Sequence, residues 1–168
     1  GEFDQSPDQI DFAHVANGSR TEMYAIAASE SEDQTIEVLL YEYDENSDEI
    51  APVNETTPVG YTIQRSGPLL QPRIAGFEDG FAVFYFEDVS QGGQWYVDFF
   101  EVTEGNEVRL IGSQLYDYDT KVVPTALDFA ATRIGQDIAT AALVAWGGGS
   151  SARWNVERVF LRDYYTAD

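Results

Sequence analysis

The side chains that could do chemistry in this chain are mostly carboxylates. Asp44, Asn46 and Asp48 stand at alternate positions in Asp44-Glu45-Asn46-Ser47-Asp48-Glu49. Oxygen ligands at that spacing can wrap one Ca²⁺ in a short loop. The full pattern wants glycine after the third ligand and a later bidentate acid, but Glu49 stands in the glycine's place. The plain alternative is a solvated acidic turn. Two further acid groups, Glu30-Ser31-Glu32-Asp33 and Glu87-Asp88, occupy equivalent hairpin loops. Paired carboxylates serve glycoside hydrolysis, yet loops this acidic read first as solvated tips. Tyr116-Asp117-Tyr118-Asp119 could offer aromatic platforms to a sugar or a cation, or simply connect two units. Trp95, Trp146 and Trp154 could line a sugar face. Trp95 and Trp154 recur at one repeat position, however, as core residues do.

Nucleophilic and transition-metal chemistry is narrowly bounded. There is no cysteine and a single histidine, His14. That excludes a thiol nucleophile, a zinc–thiolate site and a multi-histidine centre. His14 lies on a strand near Asp11, and nothing marks a nucleophile or an oxyanion hole to go with it. The sequence therefore carries no catalytic residues and no cofactor-binding motif beyond the candidate Ca²⁺ loop. Asn17-Gly18-Ser19 and Asn54-Glu55-Thr56 fit the N-glycosylation acceptor pattern, which is short enough to arise by chance.

Thirty acids against nine bases leave a net charge of −21 over 168 residues. Nucleic acid and anionic membrane surfaces, both polyanions, are excluded as partners. Cations and basic surfaces are the electrostatic complement. Lys121 is the only lysine. A surface rich in acid and poor in lysine suits a saline setting, where screening relieves self-repulsion; ordinary acidic solubility is the alternative. No apolar run is long enough to span a bilayer as a helix, so no membrane insertion is expected. The first residues, Gly1-Glu2-Phe3-Asp4, lack the basic and apolar regions of a signal peptide and read as a mature start or a junction left by expression.

The elements that must position these groups repeat. Ile36–Tyr43, Trp95–Val102 and Trp154–Leu161 are spaced by 59 residues, with apolar first, third, sixth and eighth positions in each. The alternation changes phase after the third position, which predicts a bulge or a strand buried on both faces. Upstream, Pro7-Asp8-Gln9-Ile10-Asp11-Phe12-Ala13 matches Pro124-Thr125-Ala126-Leu127-Asp128-Phe129-Ala130 at an offset of 117, and Pro72–Glu78 is a looser middle copy. Between these blocks lie the apolar runs 23–28, 81–86 and 139–146. Weak fourth strands follow at 50–53 and 108–111, with connections over 44–60 and 116–123. Helical spacing of apolar residues over 126–145 competes with two strands, but Gly135 and the repeat alignment favour strands. The reading is all-β, one domain of three consecutive four-stranded antiparallel blade-like repeats over 7–60, 61–119 and 120–168. The last lacks its outer strand.

The middle copy, Gln71-Pro72-Arg73-Ile74-Ala75-Gly76-Phe77-Glu78-Asp79-Gly80-Phe81-Ala82-Val83-Phe84-Tyr85-Phe86, resembles the opening of a β-propeller-type blade repeat found in large secreted bacterial and archaeal surface proteins and adhesins. Gln91-Gly92-Gly93-Gln94 and Trp95–Glu101 fill the loop and strand that follow in those repeats. The outer copies match in part and lack the Asp-Gly turn. The likeness implies propeller-like geometry and a non-enzymatic extracellular or cell-surface binding module with a protein or glycan partner. An assembly subunit pairing through open blade edges is the alternative, and a glycan-processing propeller enzyme a third.

If the charge is adapted to salt, the thermal unfolding midpoint rises between low and molar salt; a flat or falling midpoint would count against it.

Overall fold

In the computed structural model the described residues are 9–16, 22–29, 33–54, 57, 59–89, 93–116, 126–146 and 153–161, with the side chains of 116, 126, 146 and 153–161 excepted. Among them there is no helix. Twelve strands form three antiparallel sheets.

The first sheet holds β1 (Gln9–Val15), β2 (Met23–Ser29), β3 (Thr35–Asp44), β4 (Glu49–Pro52) and β5 (Gly60–Gln64). β4 and β5 both pair with β3. β4 lies along Tyr41–Asp44 and β5 along Thr35–Leu39. Together they make one edge strand interrupted at 53–59, where Leu40 bridges the gap by donating to the Val59 carbonyl and accepting from Val53 N–H. The fourth strand expected at 50–53 is β4, and a further edge segment, β5, carries the sheet on to Gln64. The middle sheet is β6 (Leu69–Phe77), β7 (Gly80–Glu87), β8 (Gln94–Val102) and β9 (Val108–Tyr116), and the third is β10 (Ala126–Ile134), β11 (Asp137–Trp146) and β12 (Arg153–Leu161). Each sheet follows chain order from its first strand outward. The third has three strands among the described residues.

The three runs spaced by 59 are β3, β8 and β12. In β8 the apparent phase change has a definite origin. Trp95, Val97 and Phe99 enter one core cluster with Leu127, Ile138 and Val144 of the third sheet. Tyr96, Phe100 and Val102 join the other, with Val15, Met23, Ile36 and Leu40 of the first sheet. Alternation is thus unbroken, and both faces are buried. The register shift falls between Phe99 and Phe100 on the ladder to β9, with Ile111 the additional residue on β9. The middle sheet is the filling of a three-layer stack, and all eight residues of β7 are buried.

The competing helix over 126–145 is two strands. The register Ile134↔Asp137 leaves a two-residue turn, with Gly135 at φ 63° in its first central position, where a type II′ turn needs glycine. Asp79, at φ 62°, turns the β6–β7 hairpin and tolerates the left-handed region as Asp does.

The first strands of the three sheets lie side by side, β6 between β1 and β10. β1 and β6 run parallel. The Asp11 carboxylate accepts the Ile74 N–H at 3.0 Å, the Gln9 side chain accepts the Gln71 N–H, and Asp79 N–H donates to the Ala16 carbonyl at 2.7 Å. Gln71, left-handed at φ 54°, lies in the β6 bulge. On the other side Arg73 Nε donates to the Leu127 carbonyl at 3.2 Å, and Arg133 pairs with Glu78 at 3.5 Å. β10 is therefore also parallel to β6. The described strands close no barrel or ring.

Close approach of β1 and β6 depends on Gly76. A Cβ there would lie 1.8 Å from the His14 carbonyl oxygen, a contact with rigid backbone. Gly76→Ala is expected to cost about 3 kcal/mol, the upper end for overpacking, in urea unfolding. Gly105→Ala, whose nearest neighbour is a hydroxyl at 3.8 Å, stays near neutral.

Candidate functional site

The densest grouping of ionisable side chains lies between the first and middle sheets, and sequence reasoning missed it. Asp98 sits in β8 with its side chain on the face toward the first sheet, and it is 2% exposed. A carboxylate buried this far needs donors for most of its lone pairs. Tyr85 in β7 donates its hydroxyl to Oδ2 at 2.8 Å, and the Ser113 hydroxyl in β9 donates to Oδ1. Arg65, just past β5, donates through Nη2 to both carboxylate oxygens at 3.0 and 3.2 Å and to Ser113 Oγ at 2.9 Å. The guanidinium also lies over the Tyr96 ring, 4.5 Å from its centroid, and 5.8 Å from that of Tyr85. Two tyrosines stacked 5.6 Å apart form the floor.

The electrostatics follow. Burial drives the Tyr85 phenol upward, and the Asp98 charge pushes it further, so Tyr85 stays a neutral donor. Burial alone would lower Arg65, but Asp98 and the two tyrosines outweigh it and hold the guanidinium charged. The arrangement is an anion neutralised by a cation and two hydroxyls. It joins the end of the first sheet to three strands of the middle one. The group presents no unengaged nucleophile or general base.

Beside it, Glu87 overturns the expectation of a solvated acidic tip. Its side chain is buried, and Oε1 accepts the backbone N–H of Ser66 (3.0 Å) and Gly67 (2.9 Å) and the Ser66 hydroxyl (2.8 Å). Burial raises this carboxyl, but those donors, with the Tyr96 hydroxyl, more than compensate and hold it below its ordinary value near 4.5. The physical reason is the Arg65-Ser66-Gly67 turn, whose N–H groups need an acceptor once the sheets close over them. Asp88, its neighbour, is exposed as expected.

The candidate Ca²⁺ ligands fall together in the β3–β4 turn, where they bond to one another and to neighbours. Asp44 Oδ1 accepts the Asn46 backbone N–H at 2.9 Å and its Nδ2 at 3.1 Å, and Oδ2 accepts the Ser47 hydroxyl. These donors, the Asn46 backbone first, lower the Asp44 carboxyl. Asp48, at φ 58°, accepts the Tyr43 hydroxyl at 2.5 Å. Among the described residues no group of three or more His, Cys, Asp and Glu is placed to hold a metal.

The other candidates are soon placed. Trp95 is core, stacked on Phe84 at 4.9 Å and against Phe86. His14 is exposed on β1, edge-on to Tyr24, and Asp11 is turned to β6. Asp33 is exposed, while 30–32, 117–119 and the side chains of Tyr116, Trp146 and Trp154 lie outside the described residues. One signal could have found the missed cluster. Asp98 is an acid in an otherwise apolar run, where the first copy has Leu39, and Arg65 is one of few bases in an acidic chain.

No family model, curated protein or solved structure matches the chain.

Two outcomes follow for this cluster. Asp98→Leu alone strands Arg65 and Tyr85 and costs about 3 kcal/mol by urea unfolding. Adding Arg65→Met and Tyr85→Phe recovers most of that loss, because an apolar replacement of a whole buried pair is often neutral. Glu87, with its carboxyl lowered on folding, stabilises fully above pH 4.5, and the contribution disappears as pH falls through its lower folded value. Glu87→Gln should therefore flatten that part of the acid-unfolding curve.

Proposed function

We propose that the chain is a non-enzymatic binding module of the extracellular or cell-surface kind, built as a sector of propeller-like blades. The observation that carries this reading is the parallel run of β1, β6 and β10, each the first strand of its own antiparallel sheet. Blades meet in this way around a propeller axis. The residue likeness to surface-protein repeats points the same way.

Two features favour binding over catalysis. The buried carboxylates of Asp98 and Glu87 are committed to fixed donors within the fold. His14, the one imidazole, stands on an exposed strand with Tyr24 rather than with a nucleophile. Many of the remaining acids lie on turns such as Asp44–Glu49, which we read as a negative rim. A rim of that sign suits a protein or glycan surface bearing basic groups or bound cations.

The intact chain, immobilised and screened against arrayed glycans and surface proteins, should show saturable binding that weakens with salt and leaves the partner chemically unchanged. Turnover of a bound glycan, or the absence of any saturable binding, would overturn the reading.

A further inference from the structure

The two outer faces of the stack are left uncovered among the described residues, and the repeat says what belongs on them. In β1 the odd positions face the middle sheet: Val15 is buried, Ala13 packs on the core, and Asp11 caps Ile74 N–H. The even positions face away, and Ile10 and Phe12 are 56% and 68% exposed. The third sheet packs on the opposite side of the middle one from the first, so the faces exchange roles in β10. There Leu127 and Phe129, equivalent to Ile10 and Phe12, are the ones packed on the middle sheet, with Phe129 stacked 5.4 Å from Phe84. Asp128 and Ala130, equivalent to Asp11 and Ala13, face outward. Asp128 Oδ1 there accepts the N–H of the adjacent Phe129.

The outward face of the third sheet is thus the counterpart of a face that, in the first sheet, docks on a following sheet. The outward face of the first is the counterpart of one that, in the third, docks on a preceding sheet. Each face is matched to the other rather than to itself. We infer that the occupant of both is a second copy of this chain, joined head to tail, with the β10 face of one copy against the β1 face of the other. Asp128 then takes a backbone N–H of the facing copy, as Asp11 takes that of Ile74, and Phe12 enters a core as Phe129 does. Such a junction is heterologous and must close or run on as a filament. Closure selects two copies. Three sheets fall short of the four to eight blades of typical propellers, two copies supply six, and three copies exceed the range. Buried Phe12 and Ile10 favour the contact, while the charge of −21 on each chain opposes it. Association therefore strengthens with salt.

The head-to-tail contact does not depend on the proposed binding function, the count of two copies rests on the propeller-like reading, and the test measures mass alone. Sedimentation equilibrium of the full chain, at low and molar salt, should give a mass rising with concentration from the 18.7 kDa monomer toward twice that value and stopping there. Phe12→Ser and Asp128→Ala should each weaken association by about tenfold, as loss of an interface anchor does. Leu110→Ser, an exposed apolar change on the middle sheet, should not. Circular dichroism and an unchanged melting midpoint of the dilute variants establish that they fold. A monomer at every concentration and salt, or a dimer indifferent to both Phe12→Ser and Asp128→Ala, overturns the inference.

Discussion

A strand that begins a sheet has a ladder on one side and bare backbone donors on the other, and this structure is arranged around how β6 meets that constraint. Its free edge looks at β1. Asp11 and Gln9 supply side-chain acceptors to Ile74 and Gln71, and the Ala16 carbonyl supplies one to Asp79. Unmet donors buried there would each cost about 1–3 kcal/mol. The solution fixes the relative height and direction of two sheets that share no ladder beyond a single parallel bridge at Ala16 and Glu78. Gly76 is the steric half of the same arrangement, since only a missing side chain lets the backbones come this close.

With the sheets so aligned, the middle one is enclosed on both sides and the other two on one. Its composition reflects that. Phe81, Val83 and Tyr85 serve one core, and Ala82, Phe84 and Phe86 the other. Aromatic pairs continue through both layers, from Tyr61 on Phe100 to Phe84 on Phe129. Asp98 and Arg65 lie in one of these layers, where an apolar pair would pack as well. Their effect is to tie the end of the broken edge strand, through Arg65, to β7, β8 and β9 at one point. Glu87 adds a second tie to the same turn.

Much of this could be read from residue order. The three strands at 59-residue spacing, the hairpins at Asp79-Gly80 and Gly135, and the core placement of Trp95 follow from period-two alternation and turn chemistry, which are local. The phase change in β8 was legible, but not which of its two causes applied: both faces of β8 are buried, and the bulge belongs to β9. A strand apolar on both faces looks the same as one that slips phase, and the inserted residue is Ile111 in the neighbouring strand. Glu87 was misread because Glu-Asp at a strand end reads as solvent-facing. Its true partners, Ser66 and Gly67, are about 20 residues away, and nothing in Glu87 itself points to them. The pairing of Arg65 with Asp98, 33 residues apart, was hidden for the same reason, although Asp98 within its apolar run marked one half of it.

The double burial of the middle sheet has a consequence for the order in which the chain is made. Each sheet is built from consecutive strands, so each can form from local contacts soon after it is synthesised. The middle sheet can then close on the first, but its other face, with Phe84, Phe86, Trp95 and Phe99, stays open until β10 and β11 have emerged. A nascent chain at that stage carries a broad aromatic surface and is exposed to aggregation. Of the thirty acids all but Asp128, Asp137, Glu157, Asp163 and Asp168 are already present, among them Asp44, Glu45, Asp48, Glu49, Glu104 and Glu107 on turns. Their mutual repulsion keeps such half-made chains apart, so the charge that burdens the finished fold protects its synthesis.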